Sequence, residues 1–248
     1  MKVLVCISHV PDTTSKINFK NDNSEFDKDG IQFVINPYDE FGLTRAVWLK
    51  EQNSTSLTVI NVGLAETEPT LRKALAIGAD DAIRVNAEPT DAWQVAQEIA
   101  AVAREKEFDL IIGGRESIDY NGGQVPGMVA ALLNVPFINA CVGLELQDSE
   151  AQLIREIDGG KEKLKANLPL VIGGQKGLVE EKDLRIPNMR GIMGARKKPL
   201  DVREPASGEA KTAVGTFSKP APKGDVKMVD AENMDELVRL LHDEAKVI

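Results

Sequence analysis

The run that most restricts how this chain can fold is Phe108–Leu133, FDLIIGGRESIDYNGGQVPGMVAALL. Asp109–Ile112 is a short apolar run closed by Gly113-Gly114, the pattern of a strand covered on both faces. Gly122-Gly123 and Gly127 bracket the start of a second apolar segment, Met128–Leu133. A helix starting near Gln124 would turn unpaired backbone N–H groups and the positive end of its dipole into the loop, which is a seat for a phosphate. The loop matches neither GxGxxG nor GxxxxGK[ST]. Its glycines alone therefore fit an ordinary βα turn as well as a phosphate seat, and the rest of the chain has to decide.

The flanking sequence supplies the frame. Lys2–Ser8 is a continuous apolar strand, Leu57–Val62 a second ending at Gly63, and Ala82–Val85 a third. Helical patterns separate them. One runs over 39–52 with Phe41, Val47 and Trp48 inward. One begins with Thr67 as N-cap, has Pro69 just inside and Gly78 past its end. One covers Asp91–Glu105 with Val95, Ile99 and Val102 on one face. This alternation predicts an α/β fold, a doubly wound and mostly parallel sheet, whose ligands belong at the carboxyl ends of the strands. Residues 13–35 hold two β-like pieces, 17–19 and 31–35, that read as an inserted hairpin.

After Leu133 the pattern becomes a meander. Val142–Leu146 and Leu153–Ile157 flank a turn at 148–150. Asp158-Gly159-Gly160 is a second turn before the alternating 161–168, and Pro169–Ile172 closes on Gly173-Gly174. The expected organisation is one α/β domain over 1–200 with an antiparallel extension. A Pro/Gly/Lys/Ser-rich linker follows at 201–229, then a helix capped by Asp230 with Met234, Leu237, Val238 and Leu241 on one stripe. Such a helix fits its own domain or another subunit.

Composition narrows the functions. A net charge of −9 argues against a nucleic-acid partner. No apolar run approaches the roughly 18 residues of a membrane span, and the start of the chain reads as a strand rather than a signal peptide. A cytoplasmic protein is expected. Cys6 and Cys141 lie in strand-like runs and suit buried thiols better than a disulfide. With His9 and His242 they are too few and too scattered for a structural zinc site or a Ser-His-Asp arrangement. The segment 183–200 sets Met189, Ile192 and Met193 beside Arg185, Arg190, Arg196, Lys197 and Lys198, with a helix expected over 192–198. It fits a short amphipathic helix with a solvated basic face. It also fits a docking surface, with an apolar anchor and a charged rim that steers an acidic partner.

Several pieces together carry a resemblance. They are KVLVCISHVPD at 2–12, INPYDEFG at 35–42, LRKALAIGADDAIRV at 71–85, DLIIGGRESIDYNGGQVPG at 109–127, REIDGG at 155–160 and RGIMGARKKPL at 190–200. In this order and spacing the chain resembles, over essentially its whole length, the β (small) subunit of electron transfer flavoproteins. The resemblance implies a Rossmann-like, adenine-nucleotide-binding domain paired with an α subunit that holds the redox FAD. The heterodimer would accept electrons from acyl-CoA-type dehydrogenases of fatty acid oxidation and pass them toward a quinone oxidoreductase. This chain would have no catalytic residues of its own. It would bind AMP as a structural group, and its last helix would pack on the α subunit.

Carried over residue by residue, the AMP site takes in Cys6 after the first strand, then Asn36, Pro37, Tyr38 and Asp39, and Val62 after the second strand. Its body is the glycine loop: Gly114, Arg115, Glu116, Ser117, Ile118 and Asp119 in one half, and Tyr120, Asn121, Gly122, Gly123, Gln124 and Val125 in the other, with Gly127 beyond. Asp119 would accept from a ribose hydroxyl, and the 122–124 backbone would hold the phosphate. For Asp39, an N-cap of the following helix is the competing role. Docking would fall to Met189, where the family usually has Leu, with Arg190, Ile192, Met193, Arg196 and Lys197 around it. Glu156 matches a position near the mobile FAD domain of relatives. Electron-bifurcating members hold a second FAD in this site. They carry Pro at the position of Val34 and Thr at that of Gly122, so these departures, with the bulky Ile118, favour AMP.

Overall fold

The computed structural model describes residues 1–52, 55–147, 149–206 and 208–248. The chain begins with β1 (Lys2–Cys6) and β2 (His9–Pro11), followed by β3 (Phe19–Lys20), β4 (Glu25–Phe26) and β5 (Phe33–Ile35). Next come α1 (Pro37–Gln52), β6 (Ser56–Val62), α2 (Glu68–Ile77), β7 (Asp81–Val85), α3 (Ala92–Lys106) and β8 (Leu110–Gly114). The second half holds α4 (Val125–Leu133), β9 (Phe137–Gln147), β10 (Glu150–Ile157), β11 (Gly160–Asn167) and β12 (Leu170–Gly174). It ends with α5 (Met189–Ala195), β13 (Leu200–Arg203) and α6 (Met234–Arg239).

The main sheet has the order β11-β10-β9-β12-β8-β1-β6-β7-β13. It is parallel from β9 across to β13. β10 and β11 extend it antiparallel. This is the doubly wound α/β architecture expected from the alternation. The strands bury both faces: Val3 and Val5 join the apolar layer of α1 and α2, and Leu4 joins that of α3 and α4. β1 hands the chain to β6 on one side, and the chain returns to β8 on the other. The order of the strands therefore reverses between β1 and β8, and a crevice opens outside their carboxyl ends.

Several local expectations are corrected. The pieces at 17–19 and 31–35 do not pair with each other. β5 pairs with β2, putting Val10 and Ile35 into the core. β3 pairs with β4 around Asn21, Asp22 and Asn23, whose positive φ values suit short polar side chains. α1 starts at Pro37, whose fixed φ favours a first helical position. The hydroxyl of Thr67 does not cap α2 but donates to Leu64 O at 2.9 Å, after a short 3-10 turn. The last helix is capped by Asn233, which accepts from Glu236 N at 3.3 Å, and not by Asp230, which closes the turn before it. Asn188 likewise starts α5 three residues earlier than expected by accepting from Gly191 N at 2.8 Å. β9 begins five residues before Val142, because a bulge with Ala140 at φ 51° interrupts its alternation. Asp148 of the turn expected at 148–150 lies outside the described residues.

The arm after β13 first runs along its own domain. Ala206 N and Gly208 N donate to the buried Glu98 carboxylate at 2.6 and 3.0 Å. Lys211 N and Thr212 N donate to Asp91 at 2.6 and 2.8 Å. Phe217 stacks on Phe19 with centroids 4.8 Å apart. Among the described residues no helix is long and apolar enough to cross a membrane.

Candidate functional site

The crevice between β1 and β8 is closed at its base by two buried side chains from the start of α1. Asn36 is fully buried. Its Nδ2 donates to Glu116 O at 2.8 Å and its Oδ1 accepts from Ile118 N at 3.3 Å. Asp39 is 2% exposed and accepts from Ser8 N at 2.7 Å and from Gly114 N at 2.8 Å. One carboxylate thus ties the end of β1 to the end of β8. Asp39 therefore does not cap α1; it lies inside the first turn, where Asp39 N and Glu40 N make the opening backbone bonds to the Asn36 carbonyl. Burial pushes the Asp39 carboxyl up to about 7, against the pull of its hydrogen bonds to Ser8, Asn36 and Gly114. Burial, then the neighbouring Asp39 charge, push the Cys6 thiol up, so Cys6 stays neutral.

Close approach fixes the glycine at 114. A Cβ there would lie 2.4 Å from Asp39 Oδ1 and 2.8 Å from Tyr38 Cβ. Side chains at the strand end would therefore push the loop off the Asn36–Asp39 clamp. Gly127 has a different role: it lies inside α4, where a Cβ would meet the Phe137 ring at 3.2 Å. Val62 is buried at the end of β6, on the α3–α4 side of the sheet.

The loop itself is a small closed turn. Ser117 and Gly122 exchange backbone hydrogen bonds of 3.0 and 3.2 Å, and Asn121 turns the chain at φ 50°. The Asp119 carboxylate accepts from Ser117 Oγ and, at 2.9 Å, from Tyr120 N. Tyr120 points outward, 66% exposed. Gly122 N–H is thus taken within the loop. The N–H groups of Gly123, Gln124 and Val125 have no acceptor among the described residues, and they sit at the N-terminus of α4. Gly123 packs closely: a Cβ on it would lie 3.0 Å from Arg115 O. Three open donors and a helix N-terminus suit one phosphate group.

Two of the expected residues send their side chains elsewhere. Tyr38 and Arg115 line an open cleft of about 310 Å³ with Glu156, Gln175 and Lys176. Ser8 and Gln175 are contributors that the sequence reading missed. Ser8 acts mainly through its backbone N–H, with its hydroxyl also hydrogen-bonded to Asp39. Gln175 follows Gly173-Gly174, a repeat of the Gly113-Gly114 strand end, and that doublet was the available signal. His9 also lies apart, stacked on Phe33 at 4.3 Å and 2.7 Å from Thr70 Oγ1.

The basic segment forms a second feature. α5 lies against α2 so closely that a Cβ on Gly191 would be 2.4 Å from Ala76 O. Arg72 donates to Ala195 O and Lys198 O at 2.8 Å each, and Lys198 donates to Leu75 O and Ala79 O. Lys198 is therefore a clamp, and burial pulls its ammonium below the usual lysine range. The opposite face is bare. Ile186, Met189, Ile192 and Met193 are 82, 74, 41 and 66% exposed. Arg190, Arg196 and Lys197 are exposed beside them and have no carboxylate partner among the described residues.

The sequence is similar to known proteins over its whole length. The family model described as "Electron transfer flavoprotein domain" matches residues 25–207. The electron transfer flavoprotein subunit beta of Bacillus subtilis (strain 168) is 36% identical, with 100% of both chains covered. That of Syntrophomonas wolfei is 34% identical over 90% of this chain and 87% of its own. That of Homo sapiens is 31% identical over 100% and 99%.

Proposed function

This chain belongs to the electron transfer flavoprotein family as a β subunit, and on that premise we propose the following division of labour. The chain pairs with an α subunit whose FAD supplies the redox chemistry. It holds AMP as a fixed structural group at the β1–β8 crevice, and it offers α5 to the electron-donating dehydrogenase. The heterodimer takes electrons from acyl-CoA-type dehydrogenases and delivers them toward a quinone oxidoreductase, in the cytoplasm. The end of the arm, with α6, packs on the α subunit.

The observation that carries the nucleotide assignment is the set of open N–H groups at Gly123, Gln124 and Val125, beside a loop pinned from behind by Asn36 and Asp39. The donors are already in place, so binding spends little on ordering them. Their number favours one phosphate over a pyrophosphate, and so AMP over a second FAD. Asp119 Oδ2 remains open, among the described residues, for a ribose hydroxyl, and Cys6, partly exposed, lies at the neighbouring end of β1.

The bare face of α5 supports the docking assignment. Methionine adapts to an irregular pocket, so Met189 serves as an anchor where the family usually has leucine. Arg190, Arg196 and Lys197 form a rim whose charge speeds encounter with an acidic surface.

The test is to purify the chain with its α subunit, denature the complex and identify the released nucleotides by chromatography. One FAD and one AMP per heterodimer is the expected result. Two FAD and no AMP would replace the structural nucleotide by a second flavin. One FAD alone would leave the glycine loop as an ordinary βα turn.

A further inference from the structure

The end of β12 lies in register with the end of β8, Gly173 beside Gly113 and Gly174 beside Gly114. Gln175 leaves the sheet at that point and is 4% exposed. Its Oε1 accepts from Arg115 Nη1 at 3.0 Å, and its Nε2 donates to Glu156 Oε2. The orientation of the amide is fixed from both ends, because a guanidinium only donates and a carboxylate only accepts. Arg115 is also a structural part of the phosphate seat. Its N–H donates to Gly174 O at 2.8 Å, and its carbonyl oxygen packs against Gly123, the first residue with an open N–H. A continuous path therefore runs from the start of α4 through Arg115 and Gln175 to Glu156, on the rim of the 310 Å³ cleft.

The charges around that cleft are unevenly matched. Lys176 pairs with Glu181 at 2.9 Å, and Arg115 faces Glu116 at 3.7 Å. The exposed Glu156 has, among the described residues, only the neutral amide of Gln175. Its charge makes the Gln175 contact a charge-assisted one, stronger than a neutral pair and therefore better able to hold the amide toward Arg115.

We propose that Gln175 is a positioning residue that couples the nucleotide seat to Glu156. The carboxylate at the cleft rim holds Gln175, Gln175 holds Arg115, and Arg115 keeps the Gly123 end of the seat in its binding geometry. This rests on the reading that AMP occupies the seat. Because linkage is reciprocal, a cationic partner group that engages Glu156 alters AMP affinity by the same factor as AMP alters the affinity for that group. The nucleotide is then more than inert filling, since its presence is felt at a surface open to the partner.

The experiment is a titration of AMP-depleted heterodimer with AMP, comparing wild type, Glu156→Gln, Gln175→Leu and the double variant. Glu156→Gln is at an exposed position and keeps the fold. Expected are about threefold weaker AMP binding for Glu156→Gln and about five- to tenfold for Gln175→Leu, from the loss of one hydrogen-bonded contact. The double variant should stay within about twofold of Gln175→Leu, because both act along one path. A merely structural cluster would lower the melting temperature and leave AMP affinity unchanged. That result, or additive effects, would overturn the coupling. So would tighter binding in the variants, which would mean that Arg115, once released, reaches the phosphate itself. Failure of the wild-type heterodimer to bind AMP would overturn the nucleotide reading and the coupling with it, an outcome distinct from intact wild-type binding with unresponsive variants.

Discussion

The β1–β8 crevice and the α5 patch are built in opposite ways. In the crevice the groups left open among the described residues are backbone N–H donors, and the side chains of Asn36 and Asp39 are buried scaffolding behind the loop that carries them. On α5 the backbone is the scaffold, clamped by Arg72 and Lys198, and the side chains are the surface offered. The first arrangement is rigid because the start of the loop, at Gly114, Arg115, Glu116 and Ile118, is tied down by hydrogen bonds reaching far along the chain. The second is adaptable because flexible methionines, and cations without a carboxylate partner among the described residues, adjust to what they meet. A fixed nucleotide needs the former, and contact with an exchanging partner is served by the latter. The contrast implies that substitutions in the crevice act through stability, and those on α5 through kinetics.

The largest effect expected from that contrast is Gly114→Ala. The added methyl would lie 2.4 Å from Asp39 Oδ1, against a side chain already held by two backbone donors. Relief requires the loop to leave the clamp. A loss of about 3 kcal/mol in unfolding free energy is expected, together with loss of bound AMP, measured by denaturant unfolding of the heterodimer and by nucleotide content. A variant that retains both would break the claim that the clamp sets the seat.

Asp39→Asn is expected next. An amide puts an NH2 group against either Ser8 N–H or Gly114 N–H, leaving a buried donor unmatched at a cost of about 1–3 kcal/mol. The pH dependence sharpens the point. The folded-state carboxyl is pushed up to about 7 from an unfolded value near 4. Folding therefore takes up a proton between those values. The stability this contributes is fully present below about pH 4, is lost as pH rises through about 7, and changes little above. The stability of wild type relative to Asp39→Asn should fall across that window, and a flat difference curve would show that Asp39 titrates elsewhere.

How far each region could be read from sequence follows from the same contrast. The strand–glycine–helix order around Gly113-Gly114 is written in apolar runs and turn residues, so the doubly wound sheet was legible. The carry-over by resemblance named Asn36 and Asp39, and both lie buried behind the glycine loop with hydrogen bonds to it. The competing N-cap role for Asp39 does not hold: its carboxylate accepts instead from Ser8 N and Gly114 N, 31 and 75 residues away in the chain. The backbone N–H of Ser8 is a contact that any non-proline residue there could make, so that part of its role carries no residue signature. Arg115 counted with the loop as added positive charge, yet its side chain is drawn to Gln175, a contact that exists only because β12 inserts beside β8. The boundaries of β9 and α5 shifted for local reasons: a bulge at Ala140 breaks the alternation of β9, and the Asn188 cap starts α5 before its apolar pattern does.

Two changes on α5 separate its scaffold from its surface. Gly191→Ala places a methyl 2.4 Å from Ala76 O and should lift the helix from α2, costing about 1–2 kcal/mol and slowing reduction of the flavoprotein by its donor. Met189→Ala removes a side chain that is already 74% exposed, so unfolding free energy should change by less than about 0.5 kcal/mol. If Met189 fills a pocket of the donor, its loss should still slow the second-order reduction rate about tenfold, the size expected when a central anchor is truncated, with AMP content unchanged. Stopped-flow reduction of the heterodimer by an acyl-CoA-type dehydrogenase measures this. Unchanged donor kinetics in Met189→Ala, with a loss in Gly191→Ala, would place the contact on another part of α5 and move the anchor to Ile192 or Met193.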